Sequence, residues 1–264
     1  MNFLSEALSF IFTAANWAGP AGLGARIVEH LGYTVIAVVF CALIAVPLGM
    51  VIGHTGKGTF LVVTGVNALR ALPTLGVLLL GVLLWGLGLV GPTVALMLLG
   101  IPPLLAGTYS GIANVDPAVV DAARSMGMTE RRVLLRVEVP IALPLILGGL
   151  RTATLQIVAT ATVAAYASLG GLGRYLIDGI KVREFYLALV GALMVTALAL
   201  ILDGLLALAV WLSVPGTGRW RRAARMPQPL LGDEVALESR SRGGSRPTSA
   251  AGYEPASASP TVEG

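Results

Sequence analysis

Cysteine is almost absent from this chain of 264 residues. Cys41 stands alone, which excludes a disulfide framework and any multi-cysteine metal site. Histidine is as scarce, with only His30 and His54, so little is left for metal chemistry. Charged residues make up 12%, where an ordinary globular protein carries about a quarter. The net charge of +4 is small, and no basic stripe lies on a soluble domain, so nucleic-acid binding is excluded. No GxxxxGK[ST] phosphate loop occurs, so the chain is not expected to hydrolyse ATP. Gly53-His54-Thr55-Gly56-Lys57-Gly58 is glycine-rich but lacks that spacing and reads as a turn. The apolar runs hold no His, Asp and Glu clusters of the kind a membrane-embedded enzyme needs. No catalytic residue, cofactor or metal is therefore expected.

What the chain has is apolar surface. Hydrophobic residues reach 56%, and 33 glycines suit close helix packing in lipid. A membrane-spanning helix needs about 20 mostly apolar residues. Runs of that kind fall at residues 31–52, 72–89, 93–111, 141–169 and 185–212. These predict an all-α polytopic membrane protein with five spans. Pro73 is expected to break the long run 59–89, and Gly91-Pro92 to form a tight turn. Phe3, Leu4, Ala7, Leu8 and Ile11 share one helical face, which reads as an interfacial amphipathic helix. A sixth span there is the alternative. No Lys or Arg precedes Arg26, so a signal peptide is not expected.

The domain boundaries follow: an interfacial segment at 1–26, a membrane domain at 27–214, and a basic juxtamembrane stretch with a tail at 215–264. The tail is rich in Pro, Ser, Gly and Ala, has no hydrophobic period, and reads as disordered. Five spans put one set of loops with Lys57, Arg124, Arg131, Arg132, Arg136, Arg219, Arg221, Arg222 and Arg225. The other side holds Arg26, Arg174, Lys181 and Arg183. The positive-inside rule then places the 114–138 loop and the C-terminus in the cytoplasm.

That loop is the most informative segment. Asp116-Pro117 reads as a helix cap followed by proline at the first helical position. Gly127 is placed to end the short helix, Thr129 to cap a second one through Arg136, and Pro140 and Pro144 to bracket the return to the membrane. Ala122 and Ala123 are small enough for another protein to approach. On these features alone, a docking element and a solvated linker both remain open.

Asp121-Ala122-Ala123, three residues, Gly127, nine residues, then Val137-Glu138-Val139-Pro140 resembles the EAA motif of ABC-importer permeases. That motif runs Glu-Ala-Ala, three residues, Gly, nine residues, Ile-x-Leu-Pro. This chain has Asp for Glu, and Val for both Ile and Leu. Leu69-Arg70-Ala71-Leu72-Pro73-Thr74-Leu75 resembles the "QTIPSL" region of osmoprotectant permeases, and Gly107-Thr108-Tyr109-Ser110-Gly111-Ile112 their "NTYTGI" segment. Gly149 to Thr154 and Ala159 to Ala165 resemble "GIRTAT" and "GTATLAA", and Gly170-Gly171-Leu172-Gly173 resembles "GAGGLG". The likeness covers roughly residues 69–180 and points to the glycine betaine, carnitine and choline subfamily.

The resemblance implies a type I importer core of five spans in a bacterial inner membrane. It also implies a second permease subunit, identical or homologous, two cytoplasmic ATPases and an external solute-binding protein. The ATPase would dock on the 114–144 loop through Asp121, Ala122, Ala123, Gly127 and Pro140. Rigid short helices suit that task, because a flexible loop would absorb the motion.

Arg70, Arg151 and Asp203 lie inside apolar runs, where a charge is a functional hypothesis by default. Arg151 and Asp203 share a depth of about 14–15 Å at 1.5 Å per residue. They can pair, whether for packing or along a solute path. Thr152, Thr154, Gln156, Thr160 and Thr162 put polar groups on the fourth run, to line a path or to join helices. Quaternary ammonium recognition usually uses an aromatic cage. Aromatics are sparse here at 6%, so tight selection is assigned to the external binding protein. Gly170-Gly171-Leu172-Gly173 is expected as an external turn facing it. The alternatives are a permease for another small solute such as methionine, or a secondary transporter.

Overall fold

A computed structural model of the chain describes residues 3–167 and 170–214, apart from the side chains at 61–63, 67, 70 and 167. The expected tail at 215–264, the Arg70 side chain and the last two residues of the fourth run fall outside it. Everything described is helix or turn. In chain order the helices are α1 (Phe3–Phe12), α2 (Leu23–Thr55), α3 (Thr59–Arg70), α4 (Thr74–Trp85) and α5 (Val90–Ala113). They continue as α6 (Pro117–Ser125), α7 (Glu130–Val133), α8 (Val139–Ala164), α9 (Gly173–Lys181) and α10 (Phe185–Ser213).

Among the described residues, four helices are long and apolar enough to cross a membrane: α2, α5, α10, and the continuous run Glu130–Ala164 that joins α7 to α8. The second expected span, 72–89, yields only the 12-residue α4. At about 18 Å it falls short of a hydrocarbon core of about 30 Å. The cause is visible at both ends. Pro73 separates α4 from α3, and Gly86 stops it at φ +77°. Gly91-Pro92, expected as a turn, is the first turn of α5 instead. There a proline's missing N–H breaks no helix bond. Gly91 also packs so tightly on Gly81 that a Cβ would lie 2.6 Å from the Gly81 carbonyl carbon.

The core sits between α2, α5 and α8. Ala37, Cys41 and Ala45 of α2 meet Leu96 and Leu104 of α5 and Ala153, Ile157 and Ala161 of α8. A stripe of small residues every fourth position on α2 lets the backbones approach, as in lipid-embedded bundles. Cys41 lies by Gly100, Gly49 by Thr108, and Gly53 by Ile112. The constant offset means that α2 and α5 run parallel. The residues between them must therefore return along the length of that contact, and α3 and α4 carry that return as two short helices. Against α8, Gly100 meets Ile157 and Gly107 meets Gly149, so α5 and α8 are antiparallel.

The N-terminal helix α1 has 10 residues, too few to span. It docks on α10, with Ala7 buried beside Val190 and the Phe3 and Phe185 rings edge-on at 6.1 Å. Leu4 and Leu8, expected on its apolar face, are exposed, while Phe10 packs against Tyr175.

Candidate functional site

The segment between α5 and α8 folds as a small structured unit. The Asp116 carboxylate accepts a 2.9 Å hydrogen bond from the Ala118 N–H, and Pro117 occupies the first turn of α6. Gly127 ends that helix at φ +81°, a left-handed conformation that favours glycine. The Met128 N–H returns to the Ala123 carbonyl at 3.3 Å. Val115, Val120, Ala123 and Val133 form the unit's own core, with Met128 and Val137 against it.

Two expectations change here. Ala123 is only 3% exposed and faces this core, so of the alanine pair only Ala122 is open to a partner. Val119, Ala122 and, just past the helix end, Met126 form one exposed edge of α6, at helical spacing. The second short helix also does not stop at Arg136. Thr129 stands at its N-terminus without a side-chain cap bond, and the chain runs through a widened π turn, Leu134–Glu138, directly into α8. Pro140 explains the widening. Its ring would clash with the Arg136 carbonyl in a regular helix. Pro140 and Pro144 thus lie inside the continuous run.

A chain of charges ties this unit to the end of α2. Arg124 donates to both Glu130 oxygens, with its Nε 3.0 Å from Oε1, and lies 3.3 Å from Asp121. The Glu130 hydrogen bond raises the Arg124 pKa further above its ordinary value. Glu130 lies 3.2 Å from His54 Nε2, and His54 Nδ1 lies 2.7 Å from Glu138. Glu138 is buried, 4% exposed. Sequence reasoning missed His54, Glu130 and Glu138 as a group. His54 and Glu138 are 84 positions apart, and no local spacing signals that contact.

Deeper in the bundle, the break between α3 and α4 opens a cleft of about 300 Å³. Leu69, Leu72 and Thr74 line it from the break, Pro102 and Pro103 from α5, and Thr152 and Gln156 from α8. Thr152 and Gln156 are four apart and share a helical face. Thr154 and Thr160 are buried in packing, and Thr154 Oγ1 bonds the Leu150 carbonyl at 2.8 Å. Thr162 bonds the Val158 carbonyl at 3.4 Å. Arg151 reaches across to α10 and makes two bonds to Asp203, Nε to Oδ1 at 2.5 Å and Nη2 to Oδ2 at 2.7 Å.

The glycine turn after α8 is packed against the rest of the bundle. Gly171, Leu172 and Gly173 are buried, and the Gly171 N–H donates to Glu29 at 2.7 Å. The turn is pinned to the start of α2.

Residues 45–210 match the family described as binding-protein-dependent transport system inner membrane component. The chain belongs to that family. Over 181 residues this permease is 36% identical to the choline transport system permease protein OpuBB of Bacillus subtilis, covering 69% of this chain and 83% of the relative. It is 37% identical over 179 residues to the glycine betaine/carnitine/choline transport system permease protein OpuCB of the same organism, covering 68% and 82%. A chain of the MetNI methionine ABC transporter in an inward-facing conformation superposes with a TM-score of 0.65 at 19% identity, over 73% of this chain and 96% of that one. At that identity the likeness concerns the fold. This permease is a multi-pass inner-membrane subunit of an ABC importer. It is not an enzyme; ATP hydrolysis belongs to a separate ATPase, and solute capture to a binding protein.

Proposed function

We propose that the permease conducts a quaternary-ammonium osmoprotectant of the glycine betaine, carnitine, choline or proline type. The relatives named for choline and for glycine betaine, carnitine and choline, at 36% and 37% identity, carry that reading. In it, the 114–144 loop lies in the cytoplasm and receives the ATPase on the Val119–Ala122–Met126 edge, with Asp121 beside it. Gly127 holds the two halves of the loop at a fixed angle. Because Glu130 to Ala164 is one continuous helical run, a push on the loop reaches Arg151, Thr152 and Gln156 without a flexible joint. The free energy of that push has to come from contacts that differ between two states of the ATPase.

The solute path runs through the cleft at the α3–α4 break. Broken helices at mid-membrane free backbone groups for a polar solute. Gln156 and Thr152 supply an amide and a hydroxyl there, and the described lining residues carry neither a charge nor an aromatic ring. Such a site passes a zwitterion or cation weakly and leaves tight selection to the binding protein. Five crossings result if α3 and α4 together make the second. The nine-to-four excess of Lys and Arg places the loop and the C-terminus in the cytoplasm. Residues 27–214 form the membrane domain, 1–26 an interfacial segment, and 215–264 a cytoplasmic tail. A second permease subunit, identical or homologous, faces the cleft.

The test is uptake in cells that lack their own osmoprotectant importers. Labelled glycine betaine, choline, carnitine, proline and methionine are offered one at a time, with the ATPase and binding protein co-expressed. Uptake of a quaternary-ammonium solute supports the reading; uptake of methionine alone refutes it.

A further inference from the structure

Among the described residues, His54 is the only side chain of α2 that a hydrogen bond ties to the loop unit. Its ring lies between two carboxylates, with Nδ1 2.7 Å from Glu138 and Nε2 3.2 Å from Glu130. Each ring nitrogen thus lies within ion-pair distance of a carboxylate oxygen. The two carboxylates flank the widened turn at Leu134–Glu138, one before it and one at its end. Glu138 occupies the position that the EAA-type motif leaves open, so the motif itself assigns it nothing. One residue earlier in the chain, Gly53 packs on Ile112 near the end of α5. The end of α2 is thus held on one side by α5 and on the other by the loop.

This arrangement has a mechanical consequence. A push on the loop reaches α8 through the continuous backbone. It reaches α5 through the short link to α6. It reaches α2, which supplies a wall of the core, only through packing and this ring. We propose that His54 is a positioning residue for transport: it clamps the end of α2 to Glu130 and Glu138, so that α2 moves with α8 when the ATPase displaces the loop. This rests on the coupling role proposed above for the 114–144 loop.

The clamp is tested in proteoliposomes that hold the whole complex, with glycine betaine as the probe. The readout is solute accumulated per ATP hydrolysed, measured beside the amount of ATPase retained on the permease. His54→Leu alone strands the buried Glu138 carboxylate and can lower the amount of folded protein. His54→Leu combined with Glu138→Leu removes both groups, so the complex should assemble normally. The clamp predicts at least a five-fold drop in solute per ATP for the double variant, with ATP hydrolysis persisting. His54→Asn places an amide near the Nδ1 position and keeps the bond to Glu138. His54→Gln places one near Nε2 and keeps the contact with Glu130. Each should restore part of the ratio, which a merely structural role does not predict. A wild-type ratio in the assembled double variant overturns the clamp. Gly127→Val, run in parallel, separates the two ideas. If it loses the ratio while the double variant keeps it, the loop couples and His54 does not. If Gly127→Val keeps the ratio as well, the coupling reading of the loop fails too.

Discussion

Asp203 on α10 receives two hydrogen bonds from Arg151 on α8, at 2.5 and 2.7 Å, and this pair is the polar link between those helices. The geometry is bidentate, which suits a guanidinium and not an ammonium. Arg151→Leu and Asp203→Leu should each lower the amount of folded permease, because each leaves a charge without its partner. The combination should recover part of that loss. The check is a double-mutant cycle on detergent-extracted, monodisperse protein. Additive losses would mean that the pair contributes nothing as a pair.

Gly127 offers a second test. Nothing lies within 4 Å of where its Cβ would be, so any cost of substitution comes from φ +81° alone. Gly127→Val should strain the turn by about 1–3 kcal/mol and misplace the α6 edge. Gly127→Asn should be tolerated, since asparagine enters the left-handed region more readily. Copurified ATPase and solute uptake should fall for Val and hold for Asn, with both variants inserted in the membrane.

Helix contact gives a third. A Cβ on Gly107 would lie 2.7 Å from the Gly149 Cα and 3.0 Å from the Leu145 carbonyl oxygen, both backbone atoms of α8. Gly107→Val should cost about 1–3 kcal/mol by overpacking. Gly148, one residue from that contact, has open space around it, so Gly148→Ala should be silent. Thermal unfolding in detergent distinguishes the two.

The cleft gives a fourth. Gln156→Leu and Thr152→Val should reduce the maximal uptake rate several-fold while the binding protein keeps its affinity. Thr152 and Thr154 both bond their own helix, at Gly148 and Leu150, but Thr154 is buried away from the cleft, so Thr154→Val should leave the rate near normal. Equal effects of all three would place the path elsewhere.

Local chemistry was the legible part of the sequence. The Asp116-Pro117 cap, the glycine at 127 and the break at Pro73 each follow from one residue's backbone preference, and each stands in the structure. Matching depth was enough to suggest Arg151 with Asp203. What stayed hidden depends on contacts across the chain or on helix rotation. Ala123 looked like half of a docking pair, yet it turns inward onto Val120 and Val133. Glu29 holds the glycine turn at 170–173 from 142 positions away, a contact no local spacing signals. Pro140 looked like a helix boundary. A π turn accommodates it instead, and the helix continues.

The central claim is that ATP hydrolysis drives solute through this permease by way of the α6 edge. It is tested most directly by solute accumulation in proteoliposomes that contain the permease, its ATPase and its binding protein. Glycine betaine is supplied outside and ATP inside, and the wild type is compared with Ala122→Glu combined with Met126→Glu. These two exposed positions lie outside the loop's core, so the variant should fold. The account predicts concentrative, ATP-dependent uptake by the wild type, and loss of both uptake and ATPase retention in the variant. Unchanged uptake by a variant that carries two new charges on that edge would contradict it.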